Sequence, residues 1–588
     1  MLESPLTRHF LAQFLENDLI STDTDRHQVL SFVGAALIAT GLFGTVLLSL
    51  KYLFTPFQTP GWTSVVSLDD TFFYSACSMT VLALVAVAEW DALSLDARDA
   101  AILGPLPIER RTMVWAKLSA LTIFATSFVV ALNLVPSLIH PFLLTAKLPI
   151  GLGAIALLVL AHATMTVASG LFGFAFVFGL RELLRATIGP VWFSRISTHV
   201  QAALVVFLVA ALLLVPAWSS DVVRRRLTTD AVTTYLTPPL WFVGIHEVLG
   251  GRAIDSLPRS DVPAWIARDE FQATNSYRGR RSLFETLASV ATLALMVTVG
   301  GALALYSWNC RRLPAPLPER RRGRYRWTVR LGQMTRRLAV PHAPAQAGFV
   351  FTVRTLTRSA PHRTSIAVAM AVGLAAILVV LQAGAIQRAV ELSSAPLSFL
   401  AIQTMFVGVL LAAFRRAVGI PADLRASWIF QNAWCGNERQ VLEGAKRAWL
   451  VVVLGPTLMA LLPLHAFVVG WSMALAHWTF GVLVGLVGLE ASLLGFSGLP
   501  FVSKHEPSQN WTTRGGAFFL AFVAAVYGLA AIERLALSTR TGSMTAAIVL
   551  AVLLVGFRVH GRRRLRPAVW TLAAEEARGS VRGIGLSD

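Results

Sequence analysis

Ionisable residues inside apolar stretches are the first place to look for chemistry, because charge in hydrocarbon is costly and is seldom kept without a use. Glu490, in LVGLEASLLGF, is the clearest such residue, whereas Glu89 lies at the end of its apolar run and reaches an interface. His140, His162, His465 and His477 each stand alone on an apolar segment with no second ligand at helical spacing. That pattern reads as histidines satisfied within a helix bundle. Adjacent acids at Asp69 and Asp70, in SLDDTFF, could serve metal or base chemistry in a membrane-embedded transferase. The pair is expected to open a helix, however, where Asp caps the N-terminus for ordinary reasons.

Cys77, Cys310 and Cys435 are too far apart for a disulfide framework or a metal-ligand spacing, so no metal site is expected. A phosphate-binding P-loop needs a lysine followed by Ser or Thr after a glycine-rich turn. Here Lys51, Lys117, Lys147, Lys446 and Lys504 are followed by Tyr, Leu, Leu, Arg and His. The chain is therefore not expected to hydrolyse ATP itself or to carry a cofactor.

The elements that must position these residues are membrane spans. The 588 residues are 55% hydrophobic and only 14% charged, with a mean hydropathy of +0.63, too apolar for a soluble protein of this length. Crossing a bilayer takes roughly 20 apolar residues. Twelve such runs are expected, near 29–50, 71–90, 118–140, 152–180, 200–218, 283–306, 365–386, 396–414, 449–469, 473–496, 515–532 and 544–557. The expectation is an all-α polytopic protein arranged as 6+6. The acidic LENDLISTDTDRHQ before the first run argues against a removable signal peptide.

The formal charge of +19 raises the question of nucleic acid. With the N-terminus inside, 37 of the 51 Lys and Arg fall on the inner side, and nine of the others lie in the long outer segment 219–281. This is the bias of a membrane protein with both termini in the cytoplasm, facing anionic lipid. Arg311 to Arg337 holds ten arginines against Glu319 alone and reads as a cytoplasmic anchor; no aromatic-interleaved module surrounds it, so no nucleic-acid partner is expected.

The same basic segment divides the chain into a first half (1–306), a linker with a second entry helix (307–364), a second half (365–557) and a tail (558–588). Aligning ERRTMVWAKLSAL (109–121) with ERQVLEGAKRAWL (438–450) matches Glu109, Arg110, Ala116, Lys117 and Leu121 with Glu438, Arg439, Ala445, Lys446 and Leu450 at a constant offset of 329. Upstream the offset is 327, pairing Arg98 with Arg425 and Ile102 with Ile429. Each half also opens on an amphipathic pattern, Leu6, Phe10 and Phe14 in one and Phe349, Val353 and Leu356 in the other, expected to lie along the inner membrane surface.

The loop after the second run carries more than a turn requires. Ile102, Leu103, Leu106 and Ile108 are apolar, Pro105 and Pro107 bend it, and Asp96, Arg98, Asp99, Glu109, Arg110 and Arg111 bracket it. Its counterpart offers Trp428, Ile429, Phe430 and Trp434. Apolar patches of this kind usually meet a partner.

An amphipathic entry helix, two spans, a cytoplasmic LPI segment followed by basic residues and AK, and a long outer segment before the sixth span together resemble a type 2 ABC exporter permease (the ABC-2 type). The resemblance covers most of the first half. It implies that 99–110 and 426–439 are coupling segments seated in a cleft of a separate cytoplasmic ATPase subunit, which holds ATP and Mg. It also implies that the outer segment, with Tyr235, Pro238, Pro239, Trp241 and Phe242, forms re-entrant helices capping the path of an unspecified cargo. The second half departs from the pattern: QNAWCGN replaces GPLPI, and its outer segment 533–543 is far shorter. A 6+6 ion-coupled transporter using Glu490 is the alternative. A bacterial inner membrane is the expected location.

Overall fold

The computed structural model describes residues 5–15, 60–90, 107–146, 150–219, 234–255, 281–311, 342–382, 397–420, 438–494 and 511–564, with scattered positions in 38–52, 92–105, 422 and 500–502. Among them every regular element is helical. Eight helical segments are long and apolar enough to cross a membrane: Val66–Ala88, Arg110–Thr145, Leu152–Pro190, Arg281–Arg311, Leu397–Val418, Arg439–Val469, Trp471–Ser492 and Thr541–His560. The protein is thus an all-α membrane protein. The chain divides into two compact units, Met1–Arg320 and Arg321–Asp588.

In the first unit the helices are α1 (Pro5–Leu15), α2 (Pro60–Ala88), α3 (Arg110–Thr145), α4 (Leu152–Ser219), α5 (Pro238–Asp255) and α6 (Arg281–Arg311). The most extensive contact is α2 against α4, with α5 wedged among α2, α4 and α6. Phe72, Met165, Phe242, Val243 and Ala291 close the core there. The segment 181–199, between the expected runs 152–180 and 200–218, is helical: α4 runs through it and breaks only at Gly189 (φ 74°, ψ 162°). A positive φ suits glycine, and the following Pro190 disfavours α geometry at the residue before it. Asp69 and Asp70 do not open a helix either. α2 begins at Pro60, so both acids sit well inside it, and the N-cap reading is corrected.

The second unit comprises α7 (Ala343–Arg358), α8 (Ala360–Gln382), α9 (Leu397–Val418), α10 (Glu438–Trp449), α11 (Gly455–Val469), α12 (Trp471–Ser492), α13 (Trp511–Leu537) and α14 (Arg540–Arg564). α10 and α11 form one continuous span interrupted by a π turn at Leu450–Leu454, where Gly455 N–H donates to the Leu450 carbonyl. Pro456 lies just past this turn and Pro463 inside α11, so the interruption sits beside the residue that cannot donate. None of the apolar window of α14 is buried within the unit, and Met544, Ile548 and Val552 face outward, the surface that lipid covers in a membrane.

The entry helices differ from expectation in what they cover. Phe10 and Phe14 of α1 are 0% and 2% exposed because α1 packs on α3. Phe349 and Leu356 of α7 are equally buried, and α7 packs on α10. Both apolar faces turn into protein rather than toward lipid. Two glycines allow the second crossing: a Cβ on Gly348 would strike the Val441 carbonyl, and one on Gly444 the Ala345 carbonyl.

Candidate functional site: two polar ends in each unit

In each unit the helices alternate between a loop end, where α2 leads toward α3 and α9 toward α10, and a far end. At the loop end of the first unit, Gln13 of α1 joins the loop to the helix that follows it. Its Oε1 accepts from Lys117 Nζ at 2.7 Å, and its Nε2 donates to Asp99 Oδ1 at 3.4 Å. Lys117 is 1% exposed, with its ammonium 4.7 Å from the Phe10 ring and 4.8 Å from the Phe14 ring. A buried lysine needs such partners, since its charge has left water.

Nearby, Glu182 accepts from Arg181 Nη1 at 2.6 Å and from Asn309 Nδ2 at 2.8 Å. Trp90 Nε1 donates to Ser197 Oγ at 2.7 Å. These bonds tie α2, both arms of α4 and α6 into one base, a network that spacing alone does not disclose.

Of the expected coupling residues, Asp99 and Leu103 are buried, whereas Pro105, Pro107, Glu109 and Arg110 are exposed. Ile102, Leu106, Trp428, Ile429 and Phe430 lie outside the described residues. Glu438 begins α10, and Arg439 is exposed. Lys446, the counterpart of Lys117, pairs with Glu490 Oε2 at 2.5 Å. Arg558 of α14 reaches the other oxygen of Glu490 at 3.4 Å. Glu490 is therefore the centre of a three-helix ion-pair cluster at the loop end.

At the far end the histidines stand together. His140 and His162, on α3 and α4, have ring centroids 5.2 Å apart, with Tyr74 edge-on to both. Asp70 accepts from Lys51 Nζ at 2.5 Å and from the Tyr52 hydroxyl, and lies 3.5 Å from His140 Nε2. His162 Nδ1 meets Ser137 Oγ at 3.1 Å. His246 of α5, beside Glu247 at 3.0 Å, brings a third imidazole within 6.4 Å of His162. The acids Asp69 and Asp70 thus sit in a helix bundle, with Asp70 fully engaged.

The second unit repeats the pairing. His465 and His477, on α11 and α12, have ring centroids 4.5 Å apart, and His477 Nδ1 lies 2.5 Å from Glu533 Oε1 on α13. All three are 0% exposed. His140, His162 and His477 are bundle histidines with partners on other helices, as the absence of a ligand at helical spacing implied, whereas both ring nitrogens of His465 are buried with no hydrogen-bond partner among the described residues. A signal was present, since each half places one histidine near the end of its third span and another near the start of its fourth.

Of the residues expected in a re-entrant segment, Pro238 and Pro239 start α5, Phe242 is fully buried, and Trp241 Nε1 donates to the Tyr235 carbonyl at 2.9 Å. Among the described residues no group of three His, Cys, Asp or Glu is arranged to hold a metal ion. Compared with protein-family models, curated proteins and solved structures, the chain matches none of them.

Proposed function

We propose that this chain is the membrane-spanning subunit of an ATP-driven exporter, built as two six-span halves and driven by a separate cytoplasmic ATPase that carries ATP and Mg. The observation that supports it is the clamp at Gln13, which holds Asp99 of the loop and Lys117 of α3 with one side chain. A displacement of the loop is passed to α3 through α1 instead of being absorbed by a slack connection. The exposed strip Pro105, Pro107, Glu109 and Arg110 is the surface an ATPase subunit would grip. Energy for export then comes from different contacts with the ATPase in its two states.

A second reading, ion-coupled transport, draws on the buried imidazole and carboxylate groups at the far ends. The two part company in one experiment. The tagged chain is purified in mild detergent, partners are identified by mass spectrometry and ATPase activity is assayed, beside a Glu109→Lys, Arg110→Glu variant. These positions are exposed, so the swap spares folding; Leu103, being buried, does not allow that. Copurification of a P-loop ATPase with the parent and its loss from the variant support the exporter. A chain that purifies alone, from membranes without associated ATPase activity, sinks that reading and favours ion coupling.

A further inference from the structure

The two far-end clusters each set an imidazole pair beside a carboxylate, and they differ in charge balance. In the first unit Asp70 faces the ammonium of Lys51 at 2.5 Å, and Tyr52 and His140 complete its shell. The carboxylate there is compensated by a cation. In the second unit the carboxylate is Glu533, whose single polar partner among the described residues is His477 Nδ1. Its Oε2 is buried with no hydrogen-bond partner, as are His477 Nε2 and both ring nitrogens of His465.

Among the described side chains, those packed around Glu533 from α9, α11 and α12 supply no cation. α12 presents His477, and α11 presents His465 behind it. α9 presents Phe399 against His465 at 5.1 Å, and Gln403, whose Nε2 is spent on the His477 carbonyl at 2.7 Å. On α13 itself the neighbouring Arg534 is exposed. A bare carboxylate enclosed this way without a counter-charge costs many kcal/mol. Buried ionisable groups in such settings neutralise instead.

We infer that Glu533, His477 and His465 form a buried proton-binding site, in which a proton taken from water occupies the place that the Lys51 ammonium occupies in the first unit. With the proton on Glu533, Oε1–H donates to His477 Nδ1 and no atom of the cluster carries formal charge. Release returns the proton to water and leaves a charge of −1 buried between α12 and α13. Proton occupancy is thereby tied to the packing of α12 on α13. The inference stands independently of whether an ATPase drives the protein.

The test is infrared difference spectroscopy of the full chain in phospholipid vesicles at neutral pH, in H2O and D2O, comparing the parent with Glu533→Gln. A carboxylic-acid carbonyl band is expected in the parent, moved by deuteration and absent from the variant. Identical spectra of parent and variant in that region overturn the proposal. Should Glu533→Gln not reach the membrane, His477→Gln retains the acid but removes its imidazole acceptor, so the band is expected to move; an unmoved band again overturns it. Asp70→Asn is expected to leave the band intact, because that carboxylate is ionised against Lys51, and loss of the band there would assign it to the wrong unit.

Discussion

Lys446 Nζ and Glu490 Oε2 meet at 2.5 Å, joining α10 to α12, while Arg558 of α14 approaches the other carboxylate oxygen at 3.4 Å. Breaking a buried pair by removing one partner leaves an uncompensated charge and costs about 3–5 kcal/mol. Here Arg558 remains after Lys446→Met, so the loss is expected at or below the lower end of that range, about 2–3 kcal/mol. Removing both charges, as in Lys446→Met with Glu490→Leu, is expected to cost less than Lys446→Met alone. Denaturant unfolding followed by circular dichroism checks the order, and a costlier double variant would show that the pair does more than balance charge.

Gln13 gives the second prediction. Gln13→Ala leaves the Lys117 ammonium over Phe10 and Phe14 without its amide acceptor, a loss of about 1.5–3 kcal/mol for a hydrogen bond to a charged group. α1 is short and packs mainly on α3, so the effect should be local. Hydrogen exchange is expected to rise in 5–15 and at the start of α3, with little change in α6. Uniform acceleration across the first unit would mean that α1 folds cooperatively with the whole bundle.

How far the sequence discloses these arrangements depends on the kind of contact. The offset of 329 pairs Lys117 with Lys446 on residue identity alone, and the two lysines tie α3 and α10, respectively, to a neighbouring helix. Their partners differ, Gln13 from α1 in one case and Glu490 from α12 in the other, because the partner depends on which helix crosses there. That is a tertiary fact which periodicity does not carry. The apolar faces of α1 and α7 are legible from Phe10, Phe14, Phe349 and Leu356, but whether such a face meets lipid or protein is not. The partners of the histidines are hidden for the same reason: Glu533 is 56 residues from His477, and no local pattern joins them. Helix starts fail where flanking residues extend a span, as from Pro60 to Asp70 in α2.

The crossing of α7 and α10 makes a third, steric prediction. Their backbones approach at Gly348 and Gly444 so closely that an added Cβ would meet a backbone carbonyl, which cannot rotate away. Overpacking of this kind costs typically about 1–3 kcal/mol. Gly444→Ala is expected to part the helices and raise hydrogen exchange in 343–358, while Ala347→Ser, on the exposed side of α7, leaves exchange unchanged. Equal exchange in Gly444→Ala and the parent would mean that α7 is not held by this contact.

The same substitution should act in opposite directions at the two far ends. His465 has both nitrogens buried and, among the described residues, without a hydrogen-bond partner, with its ring beside Phe399 and His477. His465→Phe removes polar atoms that bond to nothing and keeps an aromatic ring in an aromatic setting. Since an unsatisfied buried polar group costs about 1–3 kcal/mol, a gain of about 1 kcal/mol is expected, part being lost to the larger ring. His140 has Asp70 within 3.5 Å, so His140→Phe takes a partner from a buried carboxylate and is expected to cost about 1–3 kcal/mol. Unfolding of the two variants under identical conditions reads the difference directly. A destabilised His465→Phe would show that its nitrogens serve a bound group, and would move attention from Glu533 to the imidazole pair.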